Sequence, residues 1–306
     1  MLVFCVLISL RVSCLVSQWI CLEVNILCVI PILVGGGSRR SSLNAIKYFI
    51  SQRIVSLLFI NIVFFSRGLF TVELICLRIL FKLGLPPFQS WLISILPEIK
   101  YHEIYVIFTI QKTIPLIILT YVGVRGLWLL ILAFRVIAYI LFSLTSVRSI
   151  YMLMFLSSRR NGLWMISLIS LKNQWVIFLF FYSLMLLSVV VCLNIISVKK
   201  INDRVNLGRR VLILAVQFFN LGGLPPLIGF LIKLIILKSI IGLSFILISL
   251  LLRVSLMVLY IYVLIFYQVY TIRTSNFMIN NSLGRKGFVL LLIIFNLMSA
   301  VWMWLM

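Results

Sequence analysis

Three lysines and one glutamate have the residue types and surroundings for proton chemistry. Lys82 stands just before Gly84-Leu85-Pro86-Pro87, and Lys112 sits in Ile110-Gln111-Lys112-Thr113-Ile114-Pro115. Lys233 follows Pro226 by seven residues, and Glu23 lies in Trp19-Ile20-Cys21-Leu22-Glu23-Val24-Asn25. All four occupy strongly apolar stretches. Removal from water favours the neutral amine of a lysine, and a carboxylate nearby favours the ammonium. A lysine whose carboxylate partner moves can therefore take up and release a proton, as a relay requires. Glu23 is the natural partner, because Glu73 is the only other carboxylate inside an apolar span. Snorkelling of the long stem to a polar boundary is the plainer role for any single lysine. It suits Lys112 and Lys233 least, since both lie well inside their apolar runs.

The elements that must position these residues follow from composition. Of 306 residues, 64% are hydrophobic and 10% charged, and the mean hydropathy is +1.27. Soluble domains carry about a quarter charged residues, so this surface cannot be clothed for water. Roughly twenty apolar residues span a bilayer as a helix, and lipid tolerates no unpaired backbone groups. The expected fold is an all-α integral membrane protein, with about eleven transmembrane helices near 2–18, 20–35, 43–65, 70–84, 104–122, 125–144, 149–170, 173–197, 211–240, 244–269 and 287–305. Connections are short, so consecutive helices should run antiparallel. The longest polar stretches, Val198–Arg210 and Thr271–Gly287, are too small to be domains, and residues 1–306 read as one domain.

Two segments interrupt the helical pattern: Lys82-Leu83-Gly84-Leu85-Pro86-Pro87-Phe88, and Leu221-Gly222-Gly223-Leu224-Pro225-Pro226-Leu227-Ile228-Gly229-Phe230. Proline removes a backbone donor and glycine lets the chain unwind. Two such breaks predict two discontinuous helices of the kind that line ion pathways in transporters. Their shared G-x-P-P element suggests an internal repeat. For the first break the alternative is a loop between ordinary helices, with Phe88–Pro97 as an interfacial segment.

Charge is lopsided, with Lys+Arg 27 against Asp+Glu 5 and a formal net charge of +22. Basic residues in short connections (Arg39-Arg40, Arg159-Arg160, Lys199-Lys200, Arg209-Arg210, Arg285-Lys286) suit lipid phosphates and helix orientation. They lie on loops of both sides, so charge does not fix the orientation. No basic stripe interleaves with exposed aromatics in a polar domain, which argues against nucleic acid as a partner. Arg11, Arg53, Arg78, Arg135 and Arg253 fall inside apolar spans. Arginine stays protonated, so these read as structural charges or lipid contacts rather than relays. Arg78 is set apart by its i, i+4 spacing to Lys82, which places both on one helix face. A different codon assignment in translation is expected to account for some intramembrane arginines, and peptide mass spectrometry checks it. His102, the only histidine, falls in a polar connection and reads as a bystander.

The six cysteines lie in apolar segments without a C-x-x-C pair, as buried small hydrophobes rather than metal ligands or disulfides. The start of the chain shows neither a secretory cleavage pattern nor an amphipathic transit peptide, consistent with synthesis beside the target membrane. There is no phosphate-binding loop, no dinucleotide fingerprint, no haem-ligating histidine set and no cysteine cluster for iron–sulfur. Any redox chemistry must be borrowed from partners.

The same residues carry a resemblance. Trp19–Asn25 with Pro31, Lys47-Tyr48-Phe49-Ile50-Ser51-Gln52, Lys82–Trp91, Gln111–Pro115, Ser157-Ser158 with Trp164, and Leu221–Lys233 occur in order over about residues 19 to 240. Together they resemble the subunit 2 family of mitochondrial NADH–ubiquinone oxidoreductase, respiratory complex I. The resemblance implies an antiporter-like bundle of the membrane arm in a shortened form. It implies that Glu23, Lys82, Lys112 and Lys233 form a proton-translocating axis in the mitochondrial inner membrane. It also implies partners: other membrane-arm subunits (subunit 4, and the subunit 4L and 6 neighbours), supernumerary subunits, and phospholipids including cardiolipin. FMN, iron–sulfur clusters and ubiquinone would belong to other subunits. Lysine at 233 is similar to subunit 2 and unlike subunit 4, where glutamate is usual.

Departures from the family pattern concern the exit route. The usual histidine of P-F-H-F-W is Gln89, and the Pro-Glu that follows is Ile93-Ser94. The usual N-H-L-G-W reads Arg160-Asn161-Gly162-Leu163-Trp164, and the basic pair after T-S-L is only partly matched by Thr145-Ser146-Val147-Arg148. Two other readings stand beside the energy-coupling subunit: a stand-alone cation/proton antiporter of the same fold, and a membrane scaffold whose lysines bind cardiolipin.

Overall fold

In lipid every backbone amide must find its partner within its own segment, and the chain answers with helices throughout. The computed structural model describes residues 1–35, 37, 39–65, 71–123, 126–143, 149–169, 174–196, 208–225, 227–240 and 245–274. These form α1 (Leu2–Arg11), α2 (Leu15–Val34), α3 (Arg39–Phe65), α4 (Thr71–Leu83), α5 (Ser90–Ile95), α6 (Tyr101–Phe108), α7 (Ile110–Val122), α8 (Gly126–Ser143), α9 (Ile150–Ser167), α10 (Gln174–Ile196), α11 (Gly208–Gly222), α12 (Ile228–Ile240) and α13 (Phe245–Thr274). Among the described residues there is no β-strand.

Five stretches are long and apolar enough to cross a bilayer: Leu15–Val34, Arg39–Phe65, Tyr101–Val122, Gln174–Ile195 and Phe245–Phe266. Shorter apolar helices, among them Leu2–Arg11 and Ile213–Gly222, follow other expected spans in chain order. Exposed Phe, Leu and Ile side chains such as Phe65, Ile177, Ile235 and Phe245 cover the outside, as a lipid-facing surface requires. The fold is an all-helical, multi-pass membrane protein.

Three boundaries differ from the sequence expectation, each for a local reason. The first connection lies at residues 12–14, not 18–20: Val12 and Cys14 are extended. Gln18, expected as the last residue of the first span, is instead wholly buried within α2 and donates from Nε2 to the Val12 carbonyl at 2.9 Å. The expected span 104–122 is two helices, α6 and α7. Thr109 Oγ1 donates back to the Tyr105 carbonyl at 2.6 Å, a bond that bends helices, and Thr109 itself departs to φ −117°, ψ −76°. The same span starts earlier than expected, because Glu103 Oε2 accepts the Lys100 backbone N–H at 3.2 Å. His102 consequently sits in the first turn of α6 rather than in a connection, 3.7 Å from Glu103. The expected span 287–305, the pairs Lys199-Lys200 and Arg285-Lys286, Thr145–Arg148 and Pro226 lie outside the described residues.

The chain divides into two compact units: Met1–Val136 with Gly162–Trp175, and Ile137–Asn161 with Val176–Met306. In the first, α7 packs against α1, α2, α4 and α6, while α3 packs against α2, α4 and α5. Its core holds Tyr48, Phe59, Ile79, Ile104, Phe108 and Ile118. In the second, α11 packs against α12 and α13, with the Phe218 and Tyr262 rings 5.5 Å apart.

Candidate proton-relay site

Both helix breaks use one backbone device. At the end of α4 the Gly84 N–H bonds the Phe81 carbonyl at 2.9 Å and the Leu85 N–H bonds the Leu80 carbonyl at 3.1 Å. At the end of α11 the Gly223 N–H bonds the Asn220 carbonyl at 3.0 Å and the Leu224 N–H bonds the Phe219 carbonyl at 3.2 Å. This is the Schellman arrangement, which needs a left-handed residue just past the helix. Gly84 at φ 62° and Gly223 at φ 80° provide it, and the prolines that follow cannot donate to continue the helix. The cap satisfies two of the last four carbonyls of each helix, and at α11 the final two are left to other donors.

In the second unit those final carbonyls are taken by cations. Lys233 on α12 donates from Nζ to the Gly222 carbonyl at 2.5 Å. Arg160 on α9 bonds the Leu221 carbonyl through Nη2 and approaches the Gly222 carbonyl through Nη1 at 3.4 Å. A helix C-terminus carries negative partial charge, so it receives both groups. The Arg160 guanidinium also lies 5.9 Å from the Tyr262 ring. Close approach is possible only without a side chain at 223: a Cβ there would stand 2.6 Å from Lys233 Nζ. The entry of α12 is held in place by Asn220, whose Oδ1 accepts the Gly229 N–H at 2.9 Å; a Cβ at Gly229 would collide with the Asn220 backbone carbonyl.

In the first unit the other three expected residues gather. Glu23 on α2 faces α3, and its Oε2 accepts a hydrogen bond from the Arg53 guanidinium. One turn away on the same helix Trp19 Nε1 donates to the Ser56 carbonyl at 3.0 Å, so the two contacts fix α2 against α3. Lys82, in the last turn of α4, is buried, with Glu23 and Arg53 within electrostatic range. Its Nζ makes no hydrogen bond among the described residues. The expected Glu23–Lys82 pairing is therefore one of electrostatic range, and the direct partner of the carboxylate is Arg53. Lys82 and Lys112 line one cavity together with Tyr48, Gln52, Trp91 and Gln111. Lys112 Nζ stands 5.6 Å from the Phe108 ring centre, and Lys112 also borders a second, apolar cavity beside Leu85, Leu116 and Gly162. Asn25 Nδ2 donates to Gln111 Oε1 at 3.2 Å, linking α2 to the start of α7.

Arg53, expected among structural or lipid-facing charges, pairs with Glu23; Arg160, expected in a short connection facing lipid phosphates, is buried within α9; Tyr48 and Gln52 carry no expected chemical role. A signal for the first unit was present. Tyr48 and Gln52, four residues apart, share one face of α3, while Arg53, the next residue, turns to another face and meets Glu23. Chemically, two buried amines on one cavity, with a carboxylate on the neighbouring α2, can exchange protons.

No protein-family model matches the chain. Among curated proteins it is similar to NADH-ubiquinone oxidoreductase chain 2 of Anopheles gambiae, 24% identical over 306 residues that cover 94% of this chain and 89% of the relative. The same protein of Rhipicephalus sanguineus is 27% identical over 95% of this chain and 96% of the relative. That of Myxine glutinosa is 30% identical over 76% of this chain and 73% of the relative. Among solved structures, a chain of respiratory complex I from Thermus thermophilus matches with TM-score 0.69 and 19% identity, covering 83% of this chain and 65% of that one. A chain of the Mrp complex from Dietzia matches with TM-score 0.68 and 12% identity, covering 92% of this chain and 61% of that one. These two likenesses speak for the fold alone, and the chain spans somewhat under two thirds of either structure. On the identity and coverage of its curated relatives, the chain belongs to the NADH-ubiquinone oxidoreductase chain 2 family.

Proposed function

We propose that the chain is a proton-translocating membrane-arm subunit of respiratory complex I, in the mitochondrial inner membrane. Electron transfer from NADH to ubiquinone occurs on other subunits, which hold FMN and the iron–sulfur clusters, and it drives a change at Glu23. A shift of the carboxylate relative to Lys82 alters how strongly that lysine holds its proton. The proton then passes by way of Lys112 toward Lys233. The observation that carries this reading is the shared cavity: Lys82 and Lys112 line it together, with Glu23 within electrostatic range of Lys82. Buried ionisable groups are costly inside a membrane and are retained for ion or proton pathways. Partners under this reading are neighbouring membrane-arm subunits, supernumerary subunits and phospholipids including cardiolipin.

Likeness in fold to the Mrp chain supports a second reading, a cation/proton antiporter that works without a redox complex. Co-purification separates the two, since only the first requires the chain to travel with NADH-oxidising subunits. Lys112→Met tests the relay. The assembled complex is expected to lose coupled proton uptake in proteoliposomes, and uptake at the unsubstituted rate would sink the relay.

A further inference from the structure

Four side chains that line the cavity between Lys82 and Lys112 carry buried polar atoms with no hydrogen-bond partner: Tyr48 Oη, Gln52 Nε2, Lys82 Nζ and Gln111 Nε2. Leaving such a group unsatisfied is costly, and native proteins keep few of them. Four around a single small cavity mark a polar site. A buried water satisfies about three polar neighbours, and this cavity offers three nitrogen donors and a phenol that both donates and accepts. Tyr48 and Gln52 come from one face of α3, four residues apart, and are 1% and 4% exposed. The Trp91 ring, 6.1 Å from that of Tyr48, supports the phenol. Gln111 is oriented by Asn25. The polar wall is thus built from three helices, α3, α4 and α7, and neither Tyr48 nor Gln52 serves any contact that holds those helices together through its polar end.

Resting on the relay reading above, we infer that Tyr48 and Gln52 are positioning residues that hold a water bridge between Lys82 and Lys112. The phenol hydroxyl both donates and accepts, and the amide can do likewise. The bridging water is therefore oriented without being converted to an ion. In the transfer, an N–H bond of the Lys82 ammonium breaks and an O–H bond of the water forms. A second O–H bond of that water breaks as an N–H bond forms on the neutral amine of Lys112. One proton moves, the water is regenerated, and no electron or heavy-atom bond changes.

The test uses the intact complex in proteoliposomes with Tyr48→Phe, Gln52→Leu, the double substitution and Lys112→Met. Each single substitution is expected to slow coupled proton uptake about tenfold, the rate equivalent of one lost hydrogen bond. The solvent deuterium isotope effect on uptake should rise, because the bridged transfer becomes limiting; a packing role alone would not change it. Gln52→His, which restores a donor and an acceptor, is expected to recover uptake in part. Tyr48→Phe keeps the ring against Trp91, so it decides the matter even if Gln52→Leu fails to assemble. Uptake and isotope effect unchanged in Tyr48→Phe, with Lys112→Met inactive, would overturn the bridge and leave the relay standing. Unchanged uptake in Lys112→Met would instead remove the relay and the bridge with it.

Discussion

Lys233 Nζ donates to the carbonyl oxygen of Gly222 at 2.5 Å, across a turn whose left-handed residue is Gly223. The lysine of one half-helix thereby caps the other half, and its ammonium is placed by backbone rather than by a carboxylate. Small changes at the turn should consequently act on the lysine before they act on the fold.

Gly223→Ala tests this directly. An alanine at φ 80° is strained by about 1–2 kcal/mol, a cost that a membrane helix pair can absorb. Its Cβ would also occupy a point 2.6 Å from Nζ and 3.1 Å from Cδ of Lys233. The lysine must leave the Gly222 carbonyl, and coupled proton uptake is expected to fall toward the level of Lys233→Met while the complex still assembles. Full uptake in the alanine variant would show that the bond to Gly222 is incidental.

Arg53 and Glu23 form an ion pair between α3 and α2. Arg53→Gln strips the buried carboxylate of its charged partner, and hydrogen bonds to charged groups contribute about 1.5–3 kcal/mol. Because the arginine side chain is 40% exposed, the lower end of that range is expected. The double variant Arg53→Gln with Glu23→Gln should lose less than the sum of the single losses. Survival of the assembled complex through a heat challenge provides the measurement, and additive losses would deny the coupling.

Arg160 presents the opposite situation. It is fully buried and it shares the Gly222 carbonyl with the Lys233 ammonium. Two cations on one carbonyl is an unfavourable arrangement in a membrane. Codon reassignment at this position is the economical resolution: peptide mass spectrometry of the natural protein is expected to read residue 160 as uncharged. A peptide carrying arginine there would refute it.

Cys14 offers a probe of orientation. It is exposed, whereas Cys5, Cys21, Cys76 and Cys192 are buried. Lying ahead of α2, outside the apolar spans, its thiol is shifted below the ordinary cysteine range by the backbone N–H groups of Val16 and then Ser17. Thiolate is the reactive form, so labelling by a membrane-impermeant maleimide should begin at lower pH than for an unperturbed thiol. It should also succeed from one side of the membrane only. Equal labelling of Cys76 would contradict the burial pattern.

Much of this protein is determined locally. The length of each apolar run sets the helices, because lipid enforces internal backbone pairing. The Gly and Pro residues at 84–87 and 223–225 set both breaks, because φ > 0 and a missing donor are properties of single residues. Glu23, Lys82, Lys112 and Lys233 were legible as ionisable groups in apolar surroundings for the same reason. Misreadings arose where a polar side chain answers to a neighbour. Gln18, at the end of the first expected span, belongs instead to α2 and bonds the Val12 carbonyl, and Thr109, inside an expected continuous span, bonds back to Tyr105 where α6 gives way to α7.

Only the tertiary structure decided the pairings. Glu23 meets Arg53 thirty residues away, and Lys82 meets Lys112 across a cavity walled by α3. Lys233, at the second break, takes its place from Gly222 rather than from an acid. The lysine before Gly84 and the lysine after Gly223 stand on opposite sides of matching caps, a difference visible in the spacing but without meaning until the caps were seen. Helix formation depends on a residue and its neighbours four positions away, whereas a partner for a buried charge depends on which faces pack together. That choice is made by the whole set of helices at once.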